Sequence, residues 1–455
     1  MTKRSPTRRD FLKTAAAGTT AAFSPYFFSQ PRSLADEIKS KNDRMNVGLI
    51  GSGGIAHANM NAAKDWLDIV AIADVDKSHR EAFNKKFAGG KAALTEDYRD
   101  VIERDDVDVI HVATPDHWHT KPVVEAMLAG KDVYCEKPLT LTIDEGKIIR
   151  KIQKQTGRVV QVGTQQRSQF NLFTKAMAMV ADGRLGQLKQ VQAAIGGGPT
   201  CDALPVAEVP DGFNWDRWVG PTLEVDFLLK EAKPRPDTNG HYNFRWWYAF
   251  SGGRLTDWGA HHVDICNWAL KLNDQSDGPT RIEGTATHPV EFKDGYPVEK
   301  DRYNTATKFL FTVSYPSGAE MIIRDDTENG VKLVGDKGEI FVSRRKLVGK
   351  PVDELKDNPL PEDAIAKVYR GMPMEGDGRK AHWANFLHCV RERQMPISDV
   401  HSHMQMLNVC HLAGISARLN NRPLQWDDAQ EVIVGDEQAN SFLSRPYRKG
   451  YEIEV

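Results

Sequence analysis

The pattern of apolar and polar positions divides the chain into two regions with different periodicities. From residue 45 to about residue 165, short apolar runs alternate with amphipathic stretches. The apolar runs predict strands at Val47–Ile50, Ile69–Ala73, Val107–Ala113, Asp132–Cys135 and Val159–Val162. The stretches between them predict helices at Ala58–Trp66, Glu96–Arg104, Lys121–Ala129 and Ile143–Gln155. Such alternation is typical of an α/β domain with a parallel, doubly wound sheet.

The second region has a different pattern, in which several predicted strands follow one another without helices between them. A helix is predicted over Asn171–Asp182, and two more at Lys380–Arg393 and Ser402–Leu419. Between them, alternating residues predict strands at Leu188–Ile195, Arg281–Thr287, Thr305–Tyr315, Glu320–Arg324, Val331–Gly335 and Glu339–Val342. We therefore predict an α+β C-terminal domain with a large, mainly antiparallel open sheet. Residues 196–240, rich in Gly, Pro and Asp, predict a long excursion, and residues 345–380 lack a clear period.

A glycine-rich turn follows the first predicted strand. In this turn Gly51 allows a tight bend, Gly53 lets the backbone approach a pyrophosphate, and Ala56 permits close helix–strand packing. The second strand ends at Asp74, where a carboxylate binds the ribose 2′-hydroxyl and repels a 2′-phosphate. An ordinary strand–helix turn is the alternative. The pattern predicts a Rossmann domain that binds NAD rather than NADP, through Gly51, Ser52, Gly53, Gly54, Ile55 and Asp74.

Composition narrows the class of protein. The 455 residues carry a net charge of −2, and 40% are hydrophobic, which is typical of a soluble globular protein and does not favour nucleic-acid binding. No apolar run is long enough to predict membrane insertion. The five cysteines contain no C-x-x-C pair, so neither a zinc ribbon nor a disulfide scaffold is predicted.

The N-terminus predicts export. The segment Thr7-Arg8-Arg9-Asp10-Phe11-Leu12-Lys13 matches a twin-arginine signal, and Ser33-Leu34-Ala35 is a candidate cleavage site. We therefore expect the twin-arginine translocase as a partner and a periplasmic or otherwise exported location. The predicted divisions are a signal peptide (1–35), a linker (36–44), an NAD-binding Rossmann domain (45–165), an α+β domain for substrate and oligomerisation (166–430) and a C-terminal tail (431–455).

Polar residues follow two of the predicted parallel strands. One group is Thr114-Pro115-Asp116-His117-Trp118-His119, and the other is Glu136-Lys137-Pro138. The carboxyl ends of such strands face the ligand crevice. There Lys137 could donate a hydrogen bond to a substrate oxygen and stabilise its alkoxide character during oxidation. A proline-led turn and a surface ion pair are the alternatives.

Two further groups of candidate functional residues lie in the second region, between residues 241 and 264. Asp257, His261 and Asp264 share one face of a helix, where a His between carboxylates could act as a general base. A helix cap, a solvated His and a metal site are the alternatives, and we predict no metal. The aromatic run from His241 to Tyr248 suits stacking on a sugar, with Trp247 and Tyr248 as candidate substrate contacts, but it equally suits a core segment.

In combination these motifs resemble the Gfo/Idh/MocA oxidoreductase family, which includes glucose–fructose oxidoreductase and inositol dehydrogenases. The resemblance covers about residues 45–425 and is greatest to the exported, twin-arginine branch. It implies that Lys137 contacts the substrate hydroxyl and the nicotinamide, that His261 accepts the proton, and that Asp257 binds or orients the substrate. It also implies that Thr114, Pro115, His119 and Glu136 lie at the nicotinamide and that Arg167 reaches the ligand. His262, directly after His261, leaves open which imidazole faces the substrate.

These observations predict an enzyme, an NAD-dependent oxidoreductase acting on a secondary hydroxyl of a sugar, polyol or glycoside. Because no soluble NAD pool is expected outside the cytoplasm, the cofactor should be tightly held and recycled within the protein. One alternative is an NAD-dependent glycosidase that works by transient oxidation and elimination, and another is a non-catalytic sugar-binding member of the family. An open sheet face that needs covering predicts a homodimer or homotetramer.

Overall fold

The computed structural model describes residues 43–232, 234–275 and 277–454. The predicted signal peptide, with its Arg8-Arg9 pair, and most of the predicted linker lie outside these residues. The described residues belong to one compact unit, and the domain boundaries assigned from the sequence stay a prediction. Within the described residues, no helix is long and apolar enough to cross a membrane.

The first sheet has six parallel strands in the order β3-β2-β1-β4-β5-β6. The strands are β1 (Met45–Ile50), β2 (Leu67–Ala73), β3 (Ala93–Thr95), β4 (Val109–Val112), β5 (Asp132–Cys135) and β6 (Val160–Val162). The strand order reverses direction between β1 and β4, and such a switch point opens a crevice at the carboxyl ends of the strands. This arrangement confirms the predicted Rossmann-type sheet.

Five helices connect these strands. They are α1 (Gly54–Ala63), α2 (Lys77–Phe87), α3 (Tyr98–Ile102), α4 (Thr120–Leu128) and α5 (Ile143–Thr156). The sequence analysis missed α2 and the short strand β3. Helix α2 carries polar or charged residues at most positions and buries only Phe83 and Asn84, so it lacks the apolar stripe that predicts a helix. Its N-terminus is capped by Asp76, whose side chain accepts from the amides of Ser78 and His79.

The second sheet has nine strands in the order β17-β16-β15-β7-β14-β13-β10-β18-β19. They are β7 (Leu188–Ala194), β10 (Arg281–Thr287), β13 (Lys308–Ser314), β14 (Glu320–Arg324), β15 (Gly330–Gly335), β16 (Glu339–Val342), β17 (Leu347–Val348), β18 (Leu424–Asp427) and β19 (Val432–Ile433). Only the β7–β14 pair is parallel among the neighbours in this sheet. The prediction of a large, mainly antiparallel sheet is therefore confirmed.

Helices cover one side of this sheet and connect it to the first. They are α6 (Lys175–Ala181), α7 (Trp215–Val219), α8 (Arg254–Asp257), α9 (Gly259–Leu272), α10 (Lys350–Asp353), α11 (Ala364–Val368), α12 (Arg379–Glu392), α13 (Val400–Arg418) and α14 (Glu437–Asn440). The helix predicted over Asn171–Asp182 begins as a π-helical turn, Phe170–Thr174, before α6. Along β13, exposed Lys308 and Leu310 alternate with buried Phe309 and Phe311, so one face of the sheet is packed and the other is open.

The excursion between β7 and α8 has structure of its own. It contains α7 and a two-stranded ribbon of β8 (Leu229–Lys230) and β9 (Asp237–Thr238). A second ribbon, β11 (Phe292–Lys293) and β12 (Tyr296–Pro297), follows β10. Aromatic residues under the excursion form a small core, separate from the main core, that buries Trp218, Trp246, Trp247 and Phe250. This second core holds the excursion against the mouth of the crevice.

Candidate functional site

The glycine-rich turn lies at the switch point of the first sheet. Gly51 has a φ of +84°, and a Cβ at this position would come within 2.8 Å of the Ala113 backbone, so a side chain is excluded on both counts. A Cβ at Gly53 or Gly54 would meet nothing within 4 Å. Helix α1 begins at Gly54 without a side-chain cap, which leaves amides of its first turn free for a phosphate.

Asp74 lies beside this turn, at the end of β2. Its Oδ2 accepts hydrogen bonds from the amide and hydroxyl of Ser52, at 2.8 and 2.7 Å, and its Oδ1 accepts from the Asp76 amide at 2.9 Å. The carboxylate thus links the glycine-rich turn to the loop after β2. It lines a cleft of about 840 Å³ that also contains Gly51, Gly53 and Lys137. This cleft fits an extended dinucleotide, with its acidic end at Asp74.

At the other end of the cleft, Lys137 pairs with Asp257. The Lys137 Nζ donates to Asp257 Oδ1 at 2.6 Å. Arg245 and Arg254 each approach the other carboxylate oxygen to 3.9 Å. Burial alone would raise the pKa of Asp257, but the charges of Lys137 and then Arg245 outweigh it and lower the pKa to about 2. A lysine from the first sheet and a carboxylate from α8 therefore meet as an ionised pair.

His261 lies one turn further along, on α9, and is nearly enclosed. Burial, then the charge of Lys137 and that of Arg344, hold the pKa of His261 well below its usual value. The imidazole is therefore neutral at neutral pH and able to accept a proton. Its Nδ1 has no hydrogen-bond partner among the described residues. The carboxylates of Asp257 and Asp264, which flank His261 in the sequence, are engaged by Lys137 and Arg167 and form no hydrogen bond with its Nδ1.

His262 has a different environment from its neighbour. Its Nδ1 lies 2.9 Å from the Ala194 carbonyl oxygen, and burial lowers its pKa to about 4. The side chain is completely buried against β7. His262 is thus held in the protein interior, which leaves His261 as the imidazole on the side of Lys137.

Glu136 and His119 connect the ends of β4 and β5 beneath the cleft. Asn59 of α1 donates to Glu136 Oε1 at 2.8 Å. His119 lies between the carbonyl oxygens of Pro138 and Thr114, at 2.6 and 2.9 Å. These contacts bring the sequence-predicted residues Thr114, Pro115, Glu136 and Lys137 to one side of the cleft, and all four line it.

Asp116 is a titratable group that the sequence analysis quoted without a role. It accepts from the Ser251 hydroxyl at 2.5 Å, and it lines the cleft near Lys137. Burial raises its pKa to about 7, against the opposing effects of the Ser251 hydrogen bond and the Lys137 charge. A carboxyl group that titrates near neutrality in a cleft is a candidate acid or base.

Arg167 lies away from the cleft, in the protein interior. Its Nε and Nη2 donate to Asp264 at 2.7 and 2.6 Å, and its Nη1 donates to the Ile397 carbonyl at 2.8 Å. The guanidinium therefore has protein acceptors on each nitrogen. Its predicted contact with a ligand would require this pair to open, and that role stays a prediction.

Trp247 and Tyr248 also lie apart from Lys137. Both line a different cavity, of about 1360 Å³, between the excursion and α13. Trp247 is buried in the aromatic core and donates to the Thr238 carbonyl at 3.2 Å, which matches the core interpretation of the aromatic run. Tyr248 is hydrogen bonded to His288 at 3.0 Å, and burial raises its pKa to about 12. From the same run, Tyr242, Phe244 and Arg245 line the dinucleotide cleft instead.

Side chains that the sequence analysis did not single out complete the site. Arg245 approaches Asp257. Gln166 accepts from Arg344 and donates to the His261 carbonyl, and Gln165 accepts from Arg379. At the Asp74 end, Asp76 lies 3.9 Å from His79 Nε2 and 3.5 Å from His241 Nε2. These residues come from positions up to about 300 apart in the chain, and no local motif marks them.

Comparison with known proteins agrees with this geometry. An oxidoreductase family model with an NAD-binding Rossmann fold, Gfo/Idh/MocA, matches residues 45–164, and the model of that family's C-terminal α/β domain matches residues 199–453. A glycosyl hydrolase family 109 protein of Shewanella baltica is 31% identical over 159 residues, which is 30% of this chain and 35% of the relative. An uncharacterised oxidoreductase of Rhizobium meliloti is 27% identical over 153 residues, 33% of this chain and 45% of the relative. The chain thus spans about a third to a half of the length of these curated relatives.

Solved structures share the whole fold at low identity. The WlbA dehydrogenase of Chromobacterium violaceum, solved with NADH and UDP-GlcNAcA, has a TM-score of 0.59 at 16% identity, over 86% of this chain and 98% of that one. The aldose–aldose oxidoreductase of Caulobacter crescentus has a TM-score of 0.57 at 17% identity, over 84% and 99%. The two family models together cover most of the chain, including Lys137, Asp257 and His261. The chain therefore belongs to the Gfo/Idh/MocA family of NAD-binding oxidoreductases.

Proposed function

We propose that this protein is an NAD-dependent oxidoreductase that acts on a secondary hydroxyl of a sugar, polyol or glycoside. The observation that carries the proposal is the Lys137–Asp257 ion pair in the same cleft as the glycine-rich turn, with neutral His261 beside it. NAD fits the donor groups of this cleft: free amides at the start of α1, open space at Gly53 and Gly54, and the Asp74 carboxylate. Asp74 favours NAD over NADP because it would repel a 2′-phosphate.

Three side chains have distinct roles at the substrate hydroxyl. Lys137 donates a hydrogen bond to the substrate oxygen and stabilises the negative charge that develops as the O–H bond breaks. His261 accepts the hydroxyl proton, which its lowered pKa permits because the imidazole is neutral before the reaction. Asp257 holds the Lys137 ammonium in place at 2.6 Å. Bound NAD would supply the acceptor for the hydride that leaves the same carbon.

We further propose that the protein is exported with NAD already bound and that the cofactor returns to its starting state in each catalytic cycle. Supporting this, the N-terminal sequence matches a twin-arginine signal. Full-length protein purified from the exported fraction without added cofactor should release about one NAD per chain on denaturation. Protein that is free of NAD on purification, and that binds NAD only at millimolar concentration, would refute the retained cofactor.

A second candidate is redox-neutral cleavage of a glycoside. The glycosyl hydrolase family 109 names of several relatives favour it. In this scheme the hydroxyl is oxidised to a ketone, the adjacent C–H proton is removed, the glycosidic C–O bond breaks by elimination, water adds, and the hydride returns to the ketone. Asp116, with a pKa raised to about 7 by burial, is a candidate base for the C–H proton.

Nitrophenyl glycosides separate the two candidates. Cleavage releases nitrophenol with no net change in nicotinamide absorbance, and in D₂O it places deuterium on the carbon next to the oxidised one. Oxidation of a sugar in the absence of a second, hydride-accepting substrate instead produces absorbance at 340 nm, up to about one reduced nicotinamide per chain, without nitrophenol. If no sugar or glycoside gives either signal while sugars still bind, the protein is a binding member of the family and the proposed activity is wrong.

We also propose a homodimer or homotetramer that covers the open face of the nine-stranded sheet. The alternation along β13 leaves Leu310 exposed on that face. Sedimentation analysis tests this directly, since a monomer at micromolar concentration would contradict it.

A further inference from the structure

The His261 side of the site holds two arginines that have no carboxylate partner among the described residues. Arg344 lies in the turn after β16, and its guanidinium lies 4.6 Å from the centre of the Trp258 ring. Arg379 is the first residue of α12. Both are close enough to His261 for their charges to lower its pKa, so both lie near the reacting end of the site.

Neutral oxygens hold these two guanidinium groups in position. With the amides of Gln165 and Gln166 oriented to suit their neighbours, Gln166 accepts from Arg344 Nε at 3.0 Å and donates to the His261 carbonyl at 3.0 Å. Gln165 accepts from Arg379 Nη2 at 3.1 Å in the same way. Arg379 Nη1 donates to Asn59 Oδ1 at 3.0 Å. Amide acceptors orient a guanidinium without neutralising its charge.

The surrounding carboxylates offset this charge only in part, since Asp257 acts on Arg344 from a distance and forms no ion pair with it. Asp257 is paired at 2.6 Å with Lys137, and its second oxygen already faces Arg245 and Arg254. Partial burial, followed by the charge of Arg379, lowers the pKa of Arg344. Two like charges held near each other with no anion between them are a cost to the unliganded protein. A bound anion would remove that cost.

The cofactor's phosphates do not explain these arginines. The dinucleotide cleft is lined by Arg99, Arg217, Arg235 and Arg245, whereas neither Arg344 nor Arg379 lines it. Gly53 and Gly54, at the start of α1 where free amides suit the pyrophosphate, line that cleft. The two arginines therefore call for a second anion, and the substrate is the remaining ligand.

We propose that Arg344 and Arg379 bind an anionic group of the substrate, so that the sugar class taken by this site carries a carboxylate, phosphate or sulfate. The inference rests on the proposed function, because it places the substrate between Lys137 and these arginines. A guanidinium donates two parallel hydrogen bonds to such a group. Arg344 is partly exposed and Arg379 is half-buried, so both have surface that an entering ligand can contact.

Binding to NAD-loaded, full-length protein tests the proposal. Glucuronate, glucose 6-phosphate and glucose 6-sulfate are each compared with glucose by calorimetry at low and high salt. We expect at least one anionic sugar to bind ten-fold or more tightly than glucose, and the advantage to shrink as salt rises. The carboxylate, phosphate and sulfate arms identify which group the site prefers.

Variants assign the effect to the two arginines. Arg344→Gln and Arg379→Gln should each weaken binding of the preferred anionic sugar by about 10- to 100-fold, a much larger change than in the binding of glucose. Arg345→Gln is the matched control, because Arg345 is the exposed neighbour of Arg344 in the same turn. Retained NAD content shows that each variant is folded, and Arg344→Lys, which restores a point charge, should recover part of the affinity for phosphate.

The proposal is overturned if none of the three anionic sugars binds better than glucose, or if both glutamine variants bind them as well as the unchanged protein does. Its failure can be told apart from that of the proposed oxidation. Arginine-dependent binding without any hydride transfer would leave this inference standing and refute the activity. Oxidation of glucose with no preference for an anion would do the reverse.

Discussion

Two ion pairs made by neighbouring helices have the same length, but one borders the cleft and the other lies in the protein interior. Asp257 of α8 and Asp264 of α9 are seven residues apart, and each accepts from a cation at 2.6 Å. The Lys137–Asp257 side chains are each 15% exposed, at the cleft, whereas those of Arg167 and Asp264 are 2% and 1% exposed. In the sequence the two carboxylates belong to one motif, but in the structure they belong to different environments.

The pKa values of the two carboxylates follow this difference. The cations around Asp257 overcome its burial and lower its pKa to about 2. For Asp264, burial raises the pKa and the charge of Arg167 offsets it only in part. A pair that borders a cleft can exchange its partner for a ligand, while a pair in the interior can open only if the packing around it opens. We therefore propose that the first pair acts in the proposed reaction and that the second stabilises the fold.

The largest expected effect comes from breaking the cleft pair. Lys137→Met keeps most of the side-chain stem but removes the donor to the substrate oxygen, so turnover should fall by about 10²- to 10³-fold or more. Measured kcat, NAD content and the free energy of unfolding separate chemistry from folding, and the latter two should change little. Lys147→Met, at the half-buried surface pair with Asp144, is the matched control. Unchanged turnover in Lys137→Met would remove Lys137 from the reaction.

The interior pair should respond in the opposite way. Arg167→Met leaves a buried, unpaired carboxylate, so the free energy of unfolding should fall by about 3–5 kcal/mol. Replacing both partners, with Arg167→Met and Asp264→Leu together, should recover much of that loss. Chemical denaturation followed by circular dichroism measures both.

The double variant also tests the predicted ligand contact of Arg167. If it is folded and keeps the original KM, Arg167 acts on stability alone. A raised KM with unchanged kcat would instead support the predicted substrate contact. It would contradict the proposal that the interior pair acts on stability alone.

The smallest expected effect concerns pH. Burial lowers the pKa of His403 to about 3, whereas in the unfolded chain it is about 6.5. The unfolded state therefore binds the extra proton first, and stability is lost as pH falls through 6.5 towards 3. Between pH 7 and pH 5, this one group should cost about 2 kcal/mol.

Two variants isolate this contribution. His403→Gln, which can still accept from the Leu139 amide that His403 Nε2 binds, should lose about 2 kcal/mol less stability than the unchanged protein from pH 7 to pH 5. Asp257→Asn should lose as much as the unchanged protein, because the Asp257 pKa of about 2 keeps it ionised throughout. Equal losses in all three proteins would contradict the assignment to His403.

Features encoded within short segments were predictable. Strand β5, Asp132–Cys135, has the predicted bounds, and Gly51 adopts the positive φ that its place in the turn requires. Helix α2 was missed because its charged sequence carries little periodic signal and its position depends on packing against β2. Trp247 was ambiguous because aromatic residues suit both a sugar site and a core, and only the packing under the excursion places it in the core.

The two sheets, the glycine-rich turn and the family could be read from the sequence, because hydrophobic period and turn chemistry act over a few residues. The pairing of charges could be read only from the folded structure: Asp257 faces Lys137, Asp264 faces Arg167, and Arg344 and Arg379 contact amides near His261. Electrostatic partners are set by distance and burial in three dimensions, and residues about 100 to 300 positions apart carry no local trace of them.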